Sequence, residues 1–385
     1  MGSELKDRRM PTLKISEITD FNQFLDLRDS WNKLISQSKD NDVFSSWEWL
    51  STWWKHFGRG RQLRILMVEE DGQAIAAAPL MCSKYNFARI GSLTKTEFIG
   101  SPQSDYNSFI LVRKELECMK LFLDHLTSNY NDWDCLELRD VSESTTTMKL
   151  LHSISLEQPS LEEFTERVTF LCPYIELPNT FDEFLQKMKG DMRRNLRRRM
   201  KRLSEQYKAE VKTQNDFGSI REAMNAFYGL HQKRWGTKGI AGVFAEETLR
   251  NFHDDVANYF NENGWLRLYV LTANDKPIAS IYSFNYKAKK YEYLTGFDPE
   301  FSQYGVGNLL RMQVAEDSIR EGIEEYDLMR GDEPYKSFWS PKARKNFEAR
   351  LTRKGFFAKI YAWAIGSPTA SAITQKLRRS LTLKP

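Results

Sequence analysis

Two stretches of this chain carry one strand–turn–strand pattern, and any fold has to accommodate both. The first, LRILMVEEDGQAIAAAPLMCS, starts at Leu63 and turns at Asp71-Gly72. The second, LRLYVLTANDKPIASIYSFNY, starts at Leu266 and turns at Asn274-Asp275. Residues that tolerate positive φ, set between apolar runs, are a hairpin signal. Aligned without a gap, Leu63, Arg64, Ile75 and Ala76 face Leu266, Arg267, Ile278 and Ala279. The match points to an internal duplication, and so to two copies of one α/β unit.

A chain of 385 residues is also long for a single core. We place a boundary near Pro178, which divides the chain into 11–178, 179–365 and a basic tail, 366–385. In the first part SSWEWLSTWWKHFG reads as a helix capped by Ser45 or Ser46 and stopped by Gly58. Its tryptophans cover more than one face, as in a helix wedged between layers. Helices are also expected over 116–126, 181–188, 190–207, 220–235 and 246–263, and strands over 133–138 and 207–214. Cys82, Cys118, Cys135 and Cys172 lie far apart with no C-x-x-C spacing, as expected of reduced thiols. No secretory leader or long apolar run is present, so a cytoplasmic protein is expected, with peripheral attachment at the inner face of the membrane as a further option.

The richest stretch runs from Tyr291 to Lys336. An alternating segment, Tyr291 to Phe297, leads into a loop bearing Gly305 and Gly307, and a helix follows. Free N–H groups at such a helix start suit an anion. The first copy has no glycine pair opening a helix at the matching place, so one cofactor site per chain is expected, in the C-terminal half. Alternation sets Tyr291, Tyr293 and Thr295 on one face and Glu292, Leu294 and Gly296 on the other. Glu292 in an apolar strand is a candidate base, Tyr335 a candidate acid, and Lys336 a candidate for holding negative charge. Asp332 and Glu333 crowd the same turn.

Arg193, Arg194, Arg197, Arg198, Arg199, Lys201 and Arg202 follow one another with no acid between them. Arg194, Arg197, Arg198, Lys201 and Arg202 share one helical face, and Leu196, Met200 and Leu203 form the apolar stripe. Such a run suits either a solvated face or an anionic partner, the candidates being substrate phosphates, an anionic membrane surface or RNA. The aromatic, basic tail is expected to dock on its own domain. The histidines lack metal spacing and G-x-S-x-G is absent, so neither metal nor serine-nucleophile chemistry is expected.

In order, MRRNLRRRMKRL, HQKRWGTKGIAGVF, YLTGFDPEFSQYGVGNLL and MRGDEPYKSFW resemble the acetyltransferase-like GNAT-superfamily proteins of bacterial cellulose and exopolysaccharide clusters. These in turn look related to Fem-type aminoacyl transferases. The resemblance implies an α/β (α+β) fold of two tandem GNAT-like domains, each a mixed twisted sheet flanked by helices. It implies an acyl-CoA, acetyl-CoA above all, lying in a V between strands 291–297 and 325–329. Cofactor contacts would come from Phe297, Tyr304, Gly305, Val306, Gly307, Asn308 and Leu309. The superfamily's Gln or Arg three residues before the first glycine is here Ser302, with Gln303 after it. Glu292, Tyr335 and Lys336 would be catalytic, and Arg197, Arg198, Arg234, Trp235 and Asp332 would bind substrate. The implied activity is acyl-CoA-dependent N-acyl transfer to an amine of a sugar or cell-envelope precursor. Alternatives are a tRNA-dependent Fem-like transferase and a non-catalytic scaffold of an envelope synthase.

Overall fold

The computed structural model describes residues 13–40, 42–87, 91–129, 133–154, 161–236, 242–331 and 333–353. The aromatic, basic tail, with its expected docking, and Asp332 lie outside them. Among the described residues the chain forms two compact units, 13–169 with 346–353, and 170–345. The division falls within a strand, ahead of Pro178, and the last strand returns to the first unit. That return follows from pairing with the strand Cys135–Ser142 of the first part.

The first unit comprises β1 (Leu13–Ile18), α1 (Phe21–Leu25), α2 (Arg28–Gln37), α3 (Trp47–Phe57), β2 (Arg61–Glu70), β3 (Gln73–Phe87), β4 (Gly91–Phe98), β5 (Ile110–Leu111), α4 (Glu115–Asn129), β6 (Cys135–Ser142), α5 (Thr146–Ile154) and the front of β7 (Leu161–Glu176). The second continues β7 and adds α6 (Phe181–Lys187), α7 (Gly190–Gln206), β8 (Ala209–Thr213), α8 (Ile220–Gly236), α9 (Glu247–Glu262), β9 (Leu266–Ala273), β10 (Lys276–Tyr286), β11 (Lys289–Phe297), α10 (Val306–Arg320), β12 (Glu325–Asp327) and α11 (Pro334–Trp339). β13 (Ala343–Arg353) follows.

Strand order in the first unit is β1-β2-β3-β4-β6-β13-β7, and in the second β8-β9-β10-β11-β12-β7. β4 runs parallel to β6, as β11 does to β12, and the other pairings with printed registers are antiparallel. The two hairpins match beyond sequence. Asp71, Gly72, Asn274 and Asp275 all have positive φ, the geometry of the two-residue turn their types favour. Each hairpin also carries a bulge at the same aligned position. Ile75 is the extra residue between the pairs Val68↔Ala76 and Glu69↔Ala74, and Ile278 that between Pro277↔Thr272 and Ala279↔Leu271. A 3₁₀ turn, Val43–Ser45 or Val243–Ala245, precedes α3 or α9 in each unit. These repeated details support the duplication read from the sequence.

α3 is wedged as expected. Ser46 caps it by accepting from the Trp49 amide, and Trp49 and Trp53 are buried. Buried indoles need acceptors. Trp47 donates to the Phe24 carbonyl (2.9 Å), Trp49 to Ser104 Oγ (2.8 Å) and Trp53 to Gln103 Oε1 (2.7 Å). All four cysteines are buried. In the second unit, α7, α10 and α11 pack one core with the sheet through Leu196, Leu203, Leu310, Val314 and Trp339. Rings of Phe227, Phe244, His253, Tyr282, Phe284 and Tyr293 form an aromatic cluster with α8 and α9. No described helix is long and apolar enough to cross a membrane.

Candidate active site

The site begins where two parallel strands part. β11 and β12 pair only from Lys289↔Glu325 to Tyr291↔Asp327, and from there to Phe297 β11 is paired with β10 on one side only. β12 stops because Asp327 accepts from the Met329 amide (2.7 Å) and Met329 adopts positive φ. β11 is also bulged. Its register with β10 passes from Glu292↔Ser283 to Leu294↔Tyr282, which leaves Tyr293 as the extra residue. A bulge bends its strand and resets side-chain direction. Strict alternation therefore fails: Glu292 faces α10, whereas Gly296 faces α8. A Cβ on Gly296 would stand 2.5 Å from the His231 amide nitrogen, so glycine lets the α8 backbone lie against the strand.

Past β11, Asp298 caps a 3₁₀ turn, Pro299–Tyr304, and Gly305 then takes the left-handed conformation (φ 63) at the start of α10. Burial pushes the Asp298 carboxyl up, but the Lys233 ammonium at 2.7 Å and further donors hold it below its usual range. The Gly305 carbonyl accepts from the amides of Asn308 (2.9 Å) and Leu309 (3.2 Å). Among the described residues the amides of Val306 and Gly307 have no backbone acceptor, and nothing lies within 4 Å of a Cβ built on Gly307. Two free N–H groups at a helix N-terminus, with room in front, fit a phosphate. Leu309 is buried in the core, and the Asn308 side chain accepts from Arg311 and from the Trp339 indole (both 2.9 Å). These two residues therefore support the loop, and their amides are already engaged. Tyr304 is buried and donates to Gln206 of α7.

Glu292 does not stand alone in its strand. Arg311 Nε lies 3.1 and 2.8 Å from its two oxygens, Arg311 Nη2 makes a further bond, and the Tyr326 hydroxyl donates to Oε2. Burial works against the Arg311 charge, yet Glu292 offsets it and keeps the guanidinium protonated. The geometry makes Glu292 a buried counter-ion, and as a base it would first have to release Arg311. The Arg311 guanidinium also lies 4.3 Å from the Tyr335 ring centroid. Tyr335 is half-buried, its hydroxyl has no hydrogen-bond partner among the described residues, and burial raises its pKa above the ordinary phenol value despite Arg311.

Lys336 is buried. Its Nζ donates to the carbonyls of Met329 (3.2 Å) and Arg330 (2.6 Å) and pairs with Glu333 (3.0 Å). It thus fastens the loop below Tyr335, a different task from holding developing charge. Arg234 reaches from α8 to the end of β11 beyond its pairing with β12. Its Nη1 donates to the Thr295 carbonyl (3.1 Å) and Oγ1 (2.5 Å), and its guanidinium lies 5.6 Å from the Phe297 ring centroid. Trp235 donates to His231 Nε2 (3.0 Å). Arg197 and Arg198 are exposed on the outer face of α7. The splay thus gathers Arg234, Phe297, Val306, Gly307 and Tyr335, and leaves Arg197 and Arg198 on a separate surface.

Sequence reasoning missed Arg311 and Tyr326. The available signal was complementarity: one arginine on an otherwise apolar side of α10, and one glutamate in the strand before it.

The segment that carries the parted strands and the helix start is matched by a family model. The model described as "Acetyltransferase (GNAT) domain" matches residues 190–337. These residues form a GNAT acetyltransferase domain. The chain is an acyltransferase, and the matched segment runs from the first residue of α7 into α11. Across most of its length the chain is similar in fold to the crystal structure of FemX (12% identity, TM-score 0.61, covering 87% of this chain and 96% of that one). It is similar to a conserved protein of unknown function from Bacteroides thetaiotaomicron (13%, TM-score 0.52, 89% and 100%). The tandem GNAT protein from the clavulanic acid biosynthesis pathway is also similar (10%, TM-score 0.50, 90% and 100%). At these identities the likeness concerns the fold, a mixed α/β architecture matched over most of the chain. Comparison with curated proteins finds no match.

Proposed function

We propose that the C-terminal unit transfers an acyl group, acetyl above all, from an acyl-CoA to an amine of a sugar or other cell-envelope or exopolysaccharide precursor. The observation that carries the donor is the pair of unengaged amides at Val306 and Gly307 beside the open edge of β11. When bound, acyl-CoA supplies a thioester carbonyl for the amine to attack. The amides hold the pyrophosphate, and the backbone of β11 beyond Tyr291 is open to extended amide groups. In this reading Tyr335, protonated at neutral pH, gives its proton to the departing thiolate as the C–N bond forms and the C–S bond breaks, and the proton shed by the acylated nitrogen passes to solvent, from which the phenolate is reprotonated. Support for the acceptor is the order of motifs resembling exopolysaccharide-cluster proteins. Calorimetric titration with acetyl-CoA should show micromolar binding, and no heat at about 1 mM would overturn the donor.

A second reading, aminoacyl transfer from tRNA, is favoured by the exposed basic face of α7. It predicts tRNA binding that weakens steeply with salt and with charge reversal at Arg197 and Arg198. Binding indifferent to both would remove it.

A further inference from the structure

We propose that Arg199 of α7 supplies the cation for the donor's pyrophosphate, a part for which the loop before α10 has no basic side chain. The inference rests on reading this site as an acyl-CoA site. Ser302 and Gln303 are exposed and neutral. Arg199 instead crosses the backbone where α10 starts. A Cβ on Gly305 would lie 2.2 Å from Arg199 Nη1 and 3.4 Å from Cζ, so the guanidinium occupies the space that glycine leaves.

That position is electrostatically odd without an anion. A helix N-terminus carries positive partial charge, and a guanidinium against it is a like charge. No carboxylate relieves it. The loop's own acids are engaged elsewhere, Asp298 with Lys233 (2.7 Å) and Glu300 with Lys276 (3.4 Å). Arg199 itself has no hydrogen bond or ion pair with any described residue. Its neighbours do: Arg193 donates to the Leu185 carbonyl (3.0 Å), Arg194 pairs with Asp191, and Arg198 donates to Asn195 (3.1 Å).

Packing, not chance, puts Arg199 there. Leu196 and Leu203 are buried, Gln206 accepts from Tyr304, and Arg202 lies over the Tyr304 ring (5.7 Å). These contacts fix the rotation of α7 about its axis and aim Arg199 at Gly305. A planar fork at Gly305, the residue before the two free amides, suits adjacent phosphoryl oxygens.

The test is calorimetry on the full chain with CoA and with dephospho-CoA, for wild type, Arg199→Ala, Arg199→Gln, Arg199→Lys and Arg197→Ala. Arg199→Ala and Arg199→Gln should weaken both ligands about tenfold or more, Arg199→Lys less, and Arg197→Ala by less than about twofold. Because Arg199 bonds to nothing in the described protein and is a like charge at the helix start, the neutral variants should melt at or slightly above wild type. Wild-type affinity in Arg199→Gln overturns the proposal and leaves the donor reading standing. So does a loss seen with CoA alone, which would assign Arg199 to the 3′-phosphate. Failure of the wild type to bind either ligand overturns the donor reading itself.

Discussion

Arg311 and Glu292 meet inside the second unit with both carboxylate oxygens engaged, and the same guanidinium lies 4.3 Å from the Tyr335 ring centroid. One buried cation therefore ties β11, α10 and the loop of Tyr335 together. Removing one partner of such a pair leaves a charge with no water and no counter-ion. Glu292→Ala should lower the unfolding free energy by about 3–5 kcal/mol, and Glu292→Gln by less, as measured by urea denaturation. A Glu292→Gln protein of unchanged stability that has lost turnover would instead mark Glu292 as the base.

Tyr335→Phe keeps the ring beneath Arg311 and removes only the hydroxyl. Stability should stay within about 0.5 kcal/mol, because that hydroxyl has no partner among the described residues. Turnover should fall about 10²-fold if the phenol protonates the leaving thiolate, with the KM for donor little changed. Equal kcat in the two proteins would exclude Tyr335 as the acid.

Two glycines of the site should respond in opposite ways. Gly296→Ala drives a methyl to within 2.5 Å of the His231 backbone and 2.8 Å of Leu230, so α8 has to move. A loss of about 1–3 kcal/mol is expected. Gly307→Ala meets nothing within 4 Å and lies in a helix, so its melting temperature should hold or rise. Its methyl stands where the phosphate approaches, and acetyl-CoA affinity should drop. Calorimetry and thermal melts on the same samples separate the two effects.

Lys290 gives a pH signature. It is fully buried, its Nζ has no hydrogen-bond partner among the described residues, and burial lowers its pKa from 10.5 to about 7. Between these two values the unfolded chain holds a proton that the folded chain lacks. Stability from this group therefore rises with pH across that window and is lowest, and constant, below it. Lys290→Met should stabilise by a few kcal/mol at pH 6, with the gain shrinking towards pH 10. Urea midpoints that differ from wild type by the same amount at both pH values would contradict this.

Much of the molecule was legible in local sequence. Asp71-Gly72 and Asn274-Asp275 announced both hairpins, and the helices over 190–207 and 220–235 formed close to their expected limits. Alternation along β11 misled, because the bulge at Tyr293 depends on the partner strand β10 and not on β11 alone. Lys336 read as a free cation because its acceptors, the carbonyls of Met329 and Arg330, are displayed only by the turn that ends β12.

By itself the sequence determined the repeated strand–turn–strand units, the glycine-bearing helix start and the basic character of α7. Turn chemistry and apolar periodicity act between residues a few positions apart, so they can be read along the chain. Only the tertiary structure decided that Glu292 is neutralised by Arg311, and that Arg199 rather than Arg197 or Arg198 reaches Gly305. Those outcomes depend on how helices are rotated against the sheet, which is set by burial of side chains distant in sequence, such as Leu203 beside Leu310.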